Sequence, residues 1–285
     1  FPIDIISVDS AQVYRGFNIG SAKPKQEELN KYPHHLVDCK GPCDRYSVNE
    51  FKLDVENVSA NIYKKNRIPI LVGGTMMYFN SLVNPLNEMP ESSKEARKSV
   101  EKDLDKYGLQ GIYKKLSEID PEIVKKIKGT DRQRIMRALE VYYISGKPLS
   151  FYHKPKMKPD INSMLHKIAL IPSNRSLLNN RIEIRVKNML KNGFIEEVES
   201  LLKKNPSLDL TYPALRSVGY KQVYEYIMGL ISFDDLPEKI IIATRQLAKR
   251  QMTWIRGMEN LLVIDPFDKA FDVKITNSVK EFIEN

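Results

Sequence analysis

Cysteine and histidine are scarce in this chain of 285 residues, which contains two cysteines and four histidines. Cys39 and Cys43 have no further Cys or His at spacings typical of zinc ligands, so a zinc site built from these residue types is excluded. Reduced thiols are expected instead. No apolar run approaches the roughly 18 residues of a membrane span, and no signal peptide is visible. We therefore expect a cytoplasmic protein without membrane contact.

A phosphate loop is also missing. Such a loop requires G-x-x-x-x-G-K-[ST], because its backbone amides, Lys and hydroxyl hold the phosphates and magnesium. The tripeptide SGK at 145–147 is a false match, since it lacks the earlier Gly and Pro148 replaces the hydroxyl residue. The sequence therefore predicts no loop of this kind, and no metal ligand from one.

Basic residues exceed acidic ones by 45 to 36, which gives a net charge of +9 and a pI near 9.2. A basic surface favours polyanionic partners, because it releases counterions from phosphate backbones. Lysines scattered over solvated helix faces explain the same excess. Both interpretations stay open on charge alone.

Short apolar runs alternate with helical patterns, the rhythm of a parallel α/β sheet. Residues 91–165 break this rhythm, because they are helical, charged and free of convincing strands. We predict an α/β core formed by residues 1–90 and 166–285, with a helical insertion at 91–165. Strands are predicted at 3–8, 35–37, 68–72, 168–171 and 261–264, and helices from the capping box at Ser47 to about Lys65, then at 177–204, 221–228 and 237–256.

Two predicted strands end in residues suited to chemistry. Asp9 follows the first strand, where a carboxylate can act as a general base, hold a metal-bound water, or simply cap the next turn. Gly73, Gly74 and Thr75 follow the third strand and precede a helix, an arrangement that lets amides approach an anion. A tight turn capped by Thr75 explains the same pattern.

Three later segments combine cations with amides. Gln133, Arg134 and Arg137 share a helix face that suits phosphates and base edges, although a solvated face is the alternative. The loop at 215–222 adds an aromatic residue, a mixture suited to single-stranded nucleic acid. Arg245 and Lys249 offer two donors to one polyphosphate. The lone Trp254 is predicted to lie in the core.

In this order and at these distances, the segments resemble the tRNA dimethylallyltransferase family, also called tRNA isopentenyltransferases. The resemblance implies a P-loop-kinase-like core with a helical insertion. It implies transfer of a dimethylallyl group from dimethylallyl diphosphate to the N6 amine of the adenine 3′ of the tRNA anticodon. A nucleotide-binding, Mg²⁺-using, monomeric enzyme is implied as well. The matching stretches are ISVDSAQVYRGFNIGSAKP, PHHLVD, YSVNEF, RIPILVGGTMMYF, DRQRIMRALEVYYISGKPLS, RSVGYKQ and ATRQLAKRQMTW.

The resemblance also implies roles for individual residues. Asp9 matches the general base, and Thr75 matches a position at the passage where base and prenyl donor meet. Arg245, with Gly73 and Gly74, is expected near the diphosphate. The implied tRNA contacts are Asp9, Ser10, Ala11, Gln12, Thr75, Arg97, Gln133, Arg134, Ile135, Met136, Arg137, Arg216, Ser217, Val218, Gly219, Tyr220 and Lys221.

The sequence departs from the family pattern at its beginning. Members carry a GPTASGK[ST] loop on a strand and helix preceding the segment that begins here. We therefore expect a fragment with little or no transferase activity of its own. An inactive tRNA-binding fragment or pseudoenzyme and an adenylate prenyltransferase stay as alternatives.

Overall fold

The structure, a computed structural model, describes residues 1–84, 89–153 and 165–284. The chain forms two compact units, one of Phe1–Val83 with Asp160–Asn285, the other of Asn84–Pro159. The first unit combines parallel strands with helices, and the described residues of the second are helical. The predicted fold class, an α/β core with a helical insertion, is confirmed.

Five strands and twelve helices lie in the described residues. The strands are β1 Ile3–Val8, β2 His34–His35, β3 Ile68–Gly73, β4 Lys167–Leu170 and β5 Leu261–Ile264. The helices are α1 Gln26–Lys31, α2 Val48–Lys64, α3 Met76–Val83, α4 Lys94–Ile119, α5 Pro121–Val124, α6 Arg132–Ser145, α7 Leu149–Tyr152, α8 Arg175–Lys191, α9 Phe194–Lys204, α10 Tyr220–Ile227, α11 Leu236–Ile255 and α12 Phe271–Glu284.

The central strand of the larger sheet is β1, which pairs in parallel with β2 on one side and β3 on the other. Its side chains Ile6 and Val8 are completely buried, as its apolar sequence predicts. Val8 lies opposite Gly73, so β1 and β3 end at the same edge. The residues that follow each strand therefore meet there. A second parallel pair is formed by β4 and β5.

Several predicted boundaries agree with the structure, and others do not. β1, β5 and the capping box that opens α2 lie as predicted. The strand predicted at 35–37 is wrong in extent, because Leu36 and Asp38 have φ values of 61° and 53°, which no strand adopts. The single helix predicted at 177–204 is also wrong. Gly193, with a φ of 89°, separates α8 from α9.

Aromatic rings form much of the core of the first unit. Phe51 stacks on Tyr78 with 4.2 Å between ring centroids. Tyr220 lies 4.4 Å from Phe17 and 5.0 Å from Phe194 by the same measure. Such pairs contribute about 0.5–1.5 kcal/mol beyond their buried area. The contacts of Tyr220 with Phe17 and Phe194 hold the loop after β1 against α9 and α10.

The second unit has an aliphatic core of its own. Val100, Ile112, Leu116, Ile135 and Leu139 are at most 1% exposed. They come from α4 and α6, which pack together through these side chains. In the described parts of both units, none of the helices combines the length and apolar character that crossing a bilayer demands.

Candidate active site

The edge where β1 and β3 end joins Thr75 to the segment after β1. The Thr75 amide donates to the Val8 carbonyl at 3.1 Å. The Ser10 amide donates to Thr75 Oγ1 at 2.9 Å, and that hydroxyl donates to Ser10 Oγ at 3.2 Å. Thr75 thus uses its side chain to bind the neighbouring strand end. This geometry differs from the capping role that the turn alone suggested.

Asp9 stands beside this contact and is half-buried. Its Oδ1 accepts hydrogen bonds from the amides of Ala11 at 2.8 Å and Gln12 at 3.2 Å, so this oxygen does cap the following turn. Oδ2 has no hydrogen-bond partner in the described part of the chain. The carboxylate is therefore oriented through one oxygen while the other is available to accept a proton.

The Gln12 side chain is fully engaged within the protein. Its Oε1 accepts from the Ser7 hydroxyl at 2.9 Å, and its Nε2 donates to the carbonyls of Ser21 at 3.3 Å and Ala22 at 3.4 Å. A side-chain contact from Gln12 to a ligand would break one of these bonds. Gln12 therefore holds the turn after β1 against the loop at 17–22.

A cavity of about 180 Å³ opens at the same edge. Ser7, Asp9 and Gln12 line it from the side of β1, and Val72 and Gly73 from β3. Ligand pockets usually span about 300–1,000 Å³, so this cavity suits part of a larger ligand. The candidate base Asp9 thus faces a space in which a reacting group fits.

The two glycines before Thr75 are closely packed, Gly73 against backbone and Gly74 against the end of a side chain. A Cβ at Gly73 would lie 2.1 Å from the Val8 carbonyl oxygen, and one at Gly74 would lie 2.3 Å from Gln251 Nε2. That nitrogen donates to the Gly74 carbonyl at 2.9 Å. Gln251 on α11 therefore holds the turn after β3. Gln251 is the last residue of the basic stretch ATRQLAKRQ, in which only the cations Arg245 and Lys249 were predicted to bind a ligand.

The edge offers few ligands to a metal ion. The described residues contain no group of three or more His, Cys, Asp or Glu side chains that could hold one. Asp9, Ser10 and Thr75 supply one carboxylate and two hydroxyls. Mg²⁺ is often held by one or two carboxylates together with substrate phosphates and water. These residues fit Mg²⁺ only as a partial shell completed by a diphosphate.

The predicted RNA contacts on α6 divide into exposed and internal residues. Gln133 and Arg134 are exposed. Ile135 is completely buried and Met136 packs beside it in the core of the second unit. Arg137 donates through Nη2 to the Pro90 carbonyl at 2.7 Å, and its Nη1 lies 3.3 Å from Glu140 Oε2.

Arg97 lies on α4 in the same unit as α6, half-buried. No hydrogen bond or ion pair within the described residues engages its guanidinium, and its amide donates to the Ser93 carbonyl at 3.0 Å. Its charge is therefore available to an anion, as is that of Arg134, although Arg134 Nε lies 3.3 Å from Asp131.

The segment 216–221 precedes and opens α10. Arg216 and Lys221 are exposed, whereas Ser217 and Val218 are half-buried. Tyr220 is completely buried, so its ring offers no surface on which a base could stack. Burial, together with the nearby Glu197 carboxylate, raises the pKa of the Tyr220 hydroxyl. Gly219 has a φ of 90°, and its amide donates to Gln222 Oε1 at 2.8 Å.

On α11, Arg245 is paired rather than free. Its Nη2 donates to Glu183 Oε1 at 2.6 Å, and its Nε is buried with no partner among the described residues. Lys249 is exposed. Trp254 is 42% exposed, so its predicted place in the core is wrong.

The structure therefore brings together one group of the predicted residues. Ser10 and Thr75 are joined by hydrogen bonds, Asp9 directly precedes Ser10, and Gly73 and Gly74 directly precede Thr75. Arg97 and the α6 residues belong to the second unit. A carboxylate with one free oxygen, two hydroxyls and a cavity thus lie at one sheet edge.

Known proteins similar to this chain agree with one another. A family model described as IPP transferase matches residues 12–258. A tRNA dimethylallyltransferase of Legionella pneumophila (strain Paris) is 45% identical, over 100% of this chain and 90% of the relative. One from Methylobacillus flagellatus is 45% identical, over 99% and 90%.

Solved structures give the same result. A full-length tRNA isopentenylpyrophosphate transferase from Bacillus halodurans has a TM-score of 0.66 at 31% identity, and the match covers 99% of this chain and 90% of that one. A eukaryotic dimethylallyltransferase acting on tRNA has a TM-score of 0.80 at 25% identity, with 100% and 74% covered. The similarity extends across both compact units.

Proposed function

The chain belongs to the IPP transferase family, and on that premise we propose that it transfers a dimethylallyl group from dimethylallyl diphosphate to tRNA. The acceptor in this proposal is the N6 amine of the adenine 3′ of the anticodon. The observation that carries the proposal is the Asp9 carboxylate, held through Oδ1 beside the Ser10–Thr75 contact and facing a cavity.

Asp9 serves as the general base in this reaction. An amine conjugated with a purine is a poor nucleophile, so a carboxylate that accepts its proton helps. The N6 lone pair forms the new C–N bond with C1 of the dimethylallyl group. The C1–O bond breaks, diphosphate leaves with the electron pair, and the N6 proton passes to Asp9 Oδ2. Thr75 keeps the strand ends in register around the reacting groups.

The diphosphate requires positive charge nearby. We assign Gly73 and Gly74 to its neighbourhood through their backbone, because they lie between the end of β3 and the start of α3. Arg245 is a candidate cation once its pairing with Glu183 is exchanged for the ligand. Mg²⁺, when bound, neutralises charge on the leaving diphosphate.

Exposed cations and amides are the proposed RNA contacts. Gln133, Arg134, Arg216 and Lys221 offer side chains at the surface, and basic side chains on phosphates set position on RNA. Buried residues of the same segments, including Ile135 and Tyr220, support these contacts from within. We propose the helical insertion, residues 91–165, as a tRNA-binding domain, with residues 1–90 and 166–285 as the catalytic core.

Cellular setting and assembly complete the proposal. Cys39 and Cys43 are free thiols, which suits the reducing cytoplasm. We propose that the enzyme acts there on the anticodon stem-loop, as a monomer.

Transfer of labelled dimethylallyl groups to tRNA tests the proposal. The 285-residue chain and any longer natural form of the protein are each incubated with tRNA, dimethylallyl diphosphate and Mg²⁺. Prenylated adenine next to the anticodon is then identified by mass spectrometry of nuclease digests. Transfer by the natural protein supports the proposal. Robust transfer by the 285-residue chain contradicts the expected need for a phosphate loop.

Two outcomes distinguish the alternatives. Stem-loop binding without any transfer by either protein identifies a tRNA-binding protein. Prenylation of free adenylate, unchanged when Arg97, Arg134 and Arg137 are replaced by Ala, identifies an adenylate prenyltransferase.

A further inference from the structure

Glu197, on α9, accepts hydrogen bonds from three donors, two in the loop after β1 and one on α10. Its Oε2 accepts from the Ile19 amide at 2.8 Å, and its Oε1 accepts from the Asn18 amide at 3.2 Å. The same Oε1 accepts from the Tyr220 hydroxyl at 2.6 Å. One carboxylate thus fixes the loop after β1 to the first residue of α10.

The loop held by Glu197 leads directly to the candidate base. The Ala22 amide donates to the Ile19 carbonyl at 3.1 Å, which closes the loop on itself. The carbonyls of Ser21 and Ala22 accept hydrogen bonds from Gln12 Nε2 at 3.3 and 3.4 Å. The Gln12 amide in turn donates to Asp9 Oδ1 at 3.2 Å. A continuous series of hydrogen bonds runs from Glu197 to Asp9.

We propose that Glu197 is a positioning residue that sets the orientation of Asp9 through the loop at 18–22 and Gln12. The proposal deepens the proposed function and rests on it for its kinetic part. Neither the cationic segments nor the strand ends pointed to Glu197, because two of its three partners are backbone amides 178 and 179 positions away.

A carboxylate suits this place better than an amide does. It has two acceptor oxygens and no donor, and hydrogen bonds to a charged acceptor are about twice as strong as neutral ones. Glutamine at 197 keeps the volume but has one acceptor oxygen, and its NH₂ group faces an N–H donor. E197Q therefore loosens the loop without opening a cavity.

Native-state amide exchange of E197Q tests the series of bonds without any need for activity. We expect faster exchange at Asn18 and Ile19 and also at Ala11 and Gln12, whose amides bind Asp9. The control is E196Q, since Glu196 is exposed on the same helix, and its exchange should match the unaltered protein. Faster exchange at Asn18 and Ile19 alone overturns the proposal.

Steady-state kinetics of the longest natural form of the protein provides the second test. We expect E197Q to lower kcat about 10-fold at saturating tRNA and dimethylallyl diphosphate, because small displacements of a reacting group are costly. The KM for dimethylallyl diphosphate should not change. A purely structural role lowers the folded fraction instead, so an unaltered kcat per folded enzyme overturns the proposal.

A double-mutant cycle with Q12A shows whether Glu197 acts on Asp9 through Gln12 or whether the two substitutions lower kcat independently. Because both residues act through the same bonds, the E197Q/Q12A variant should be no slower than the slower single variant. If the double variant loses kcat by the product of the two single losses, the proposal is overturned. If the unaltered protein transfers nothing, the proposed function fails, while the exchange measurement still decides whether Glu197 orders the turn at Asp9.

Discussion

One aspartate lies near the amino end of β1 and another directly follows its carboxyl end, and their surroundings differ completely. Asp4 is 3% exposed, and its Oδ2 lies 3.0 Å from His35 Nε2 while its Oδ1 accepts from Arg67 Nε at 2.5 Å. The hydrogen bond from His35, aided by that from Arg67, holds the pKa of Asp4 below its ordinary value despite burial. Asp9 is half-buried and uses only Oδ1.

The contrast shows how the fold separates stability from chemistry on a single strand. A carboxylate with both oxygens occupied by side chains contributes to folding and has no free acceptor. One that is held by backbone amides through a single oxygen keeps its orientation and a free acceptor. The amino end of β1 is therefore structural, and its carboxyl end is suited to catalysis.

The largest effect is expected at Asp9. Asn at this position keeps an oxygen for the Ala11 and Gln12 amides but removes the base, so D9N should lower kcat by about 10²–10⁴-fold. Initial rates of prenyl transfer measure this, with the thermal unfolding midpoint as a check that the fold is kept. A fully active D9N protein would show that a group other than Asp9 accepts the proton.

Asp4 should show the opposite behaviour. D4N leaves Arg67 facing an amide group, and we expect the free energy of unfolding to fall by about 2 kcal/mol. Urea titration measures the loss. The kcat per folded molecule should stay unchanged, and a fall in kcat comparable to that of D9N would remove the distinction between the two ends.

Replacing Thr75 is expected to lower kcat less than replacing Asp9 does, and the loss should depend on the Thr75 hydroxyl. T75V keeps the shape but loses the acceptor of the Ser10 amide, so one bond worth about 1 kcal/mol disappears and kcat should fall roughly 5- to 10-fold. T75S is the matched control because it keeps the hydroxyl. Equal losses in both variants would show that the methyl group, and not the hydrogen bond, matters.

The smallest expected effect is the pH dependence that Asp4 gives to stability. Its folded pKa is lower than the ordinary 3.8, so its contribution is complete above that value and is lost as the pH falls through the folded pKa. Below pH 4, the unfolding midpoint should fall less steeply with decreasing pH in D4N than in the unaltered protein. Parallel curves would show that Asp4 does not titrate on unfolding.

Sequence patterns predicted the strands well where apolar residues dominate them. β5 is a continuous apolar run and β1 is interrupted only by Asp4 and Ser7, so their ends were visible. β2 was misplaced because left-handed backbone at Leu36 and Asp38 has no signal in residue type. Gly193 looked like one weak helix residue among many, yet it ends one helix and begins another.

The candidate site was predicted in part. Asp9, Gly73 and Thr75 follow strands, so topology alone brings them to one edge. The anchoring residues Gln251 and Glu197 could not be found, since their partners are backbone groups of distant loops. The place of Trp254 was predicted wrongly, because helix spacing does not say which face meets the core.

Phe194 lies between two glycines from distant parts of the chain. A Cβ at Gly20 would lie 2.3 Å from its ring, and one at Gly219 would lie 3.2 Å away. A side chain at position 20 would also meet the Tyr220 ring at 2.6 Å, so two aromatic rings would have to move to accept it. At position 219 the φ of 90° strains any side chain, whatever stands at 194. A library that varies position 20 alone should therefore return few folded variants.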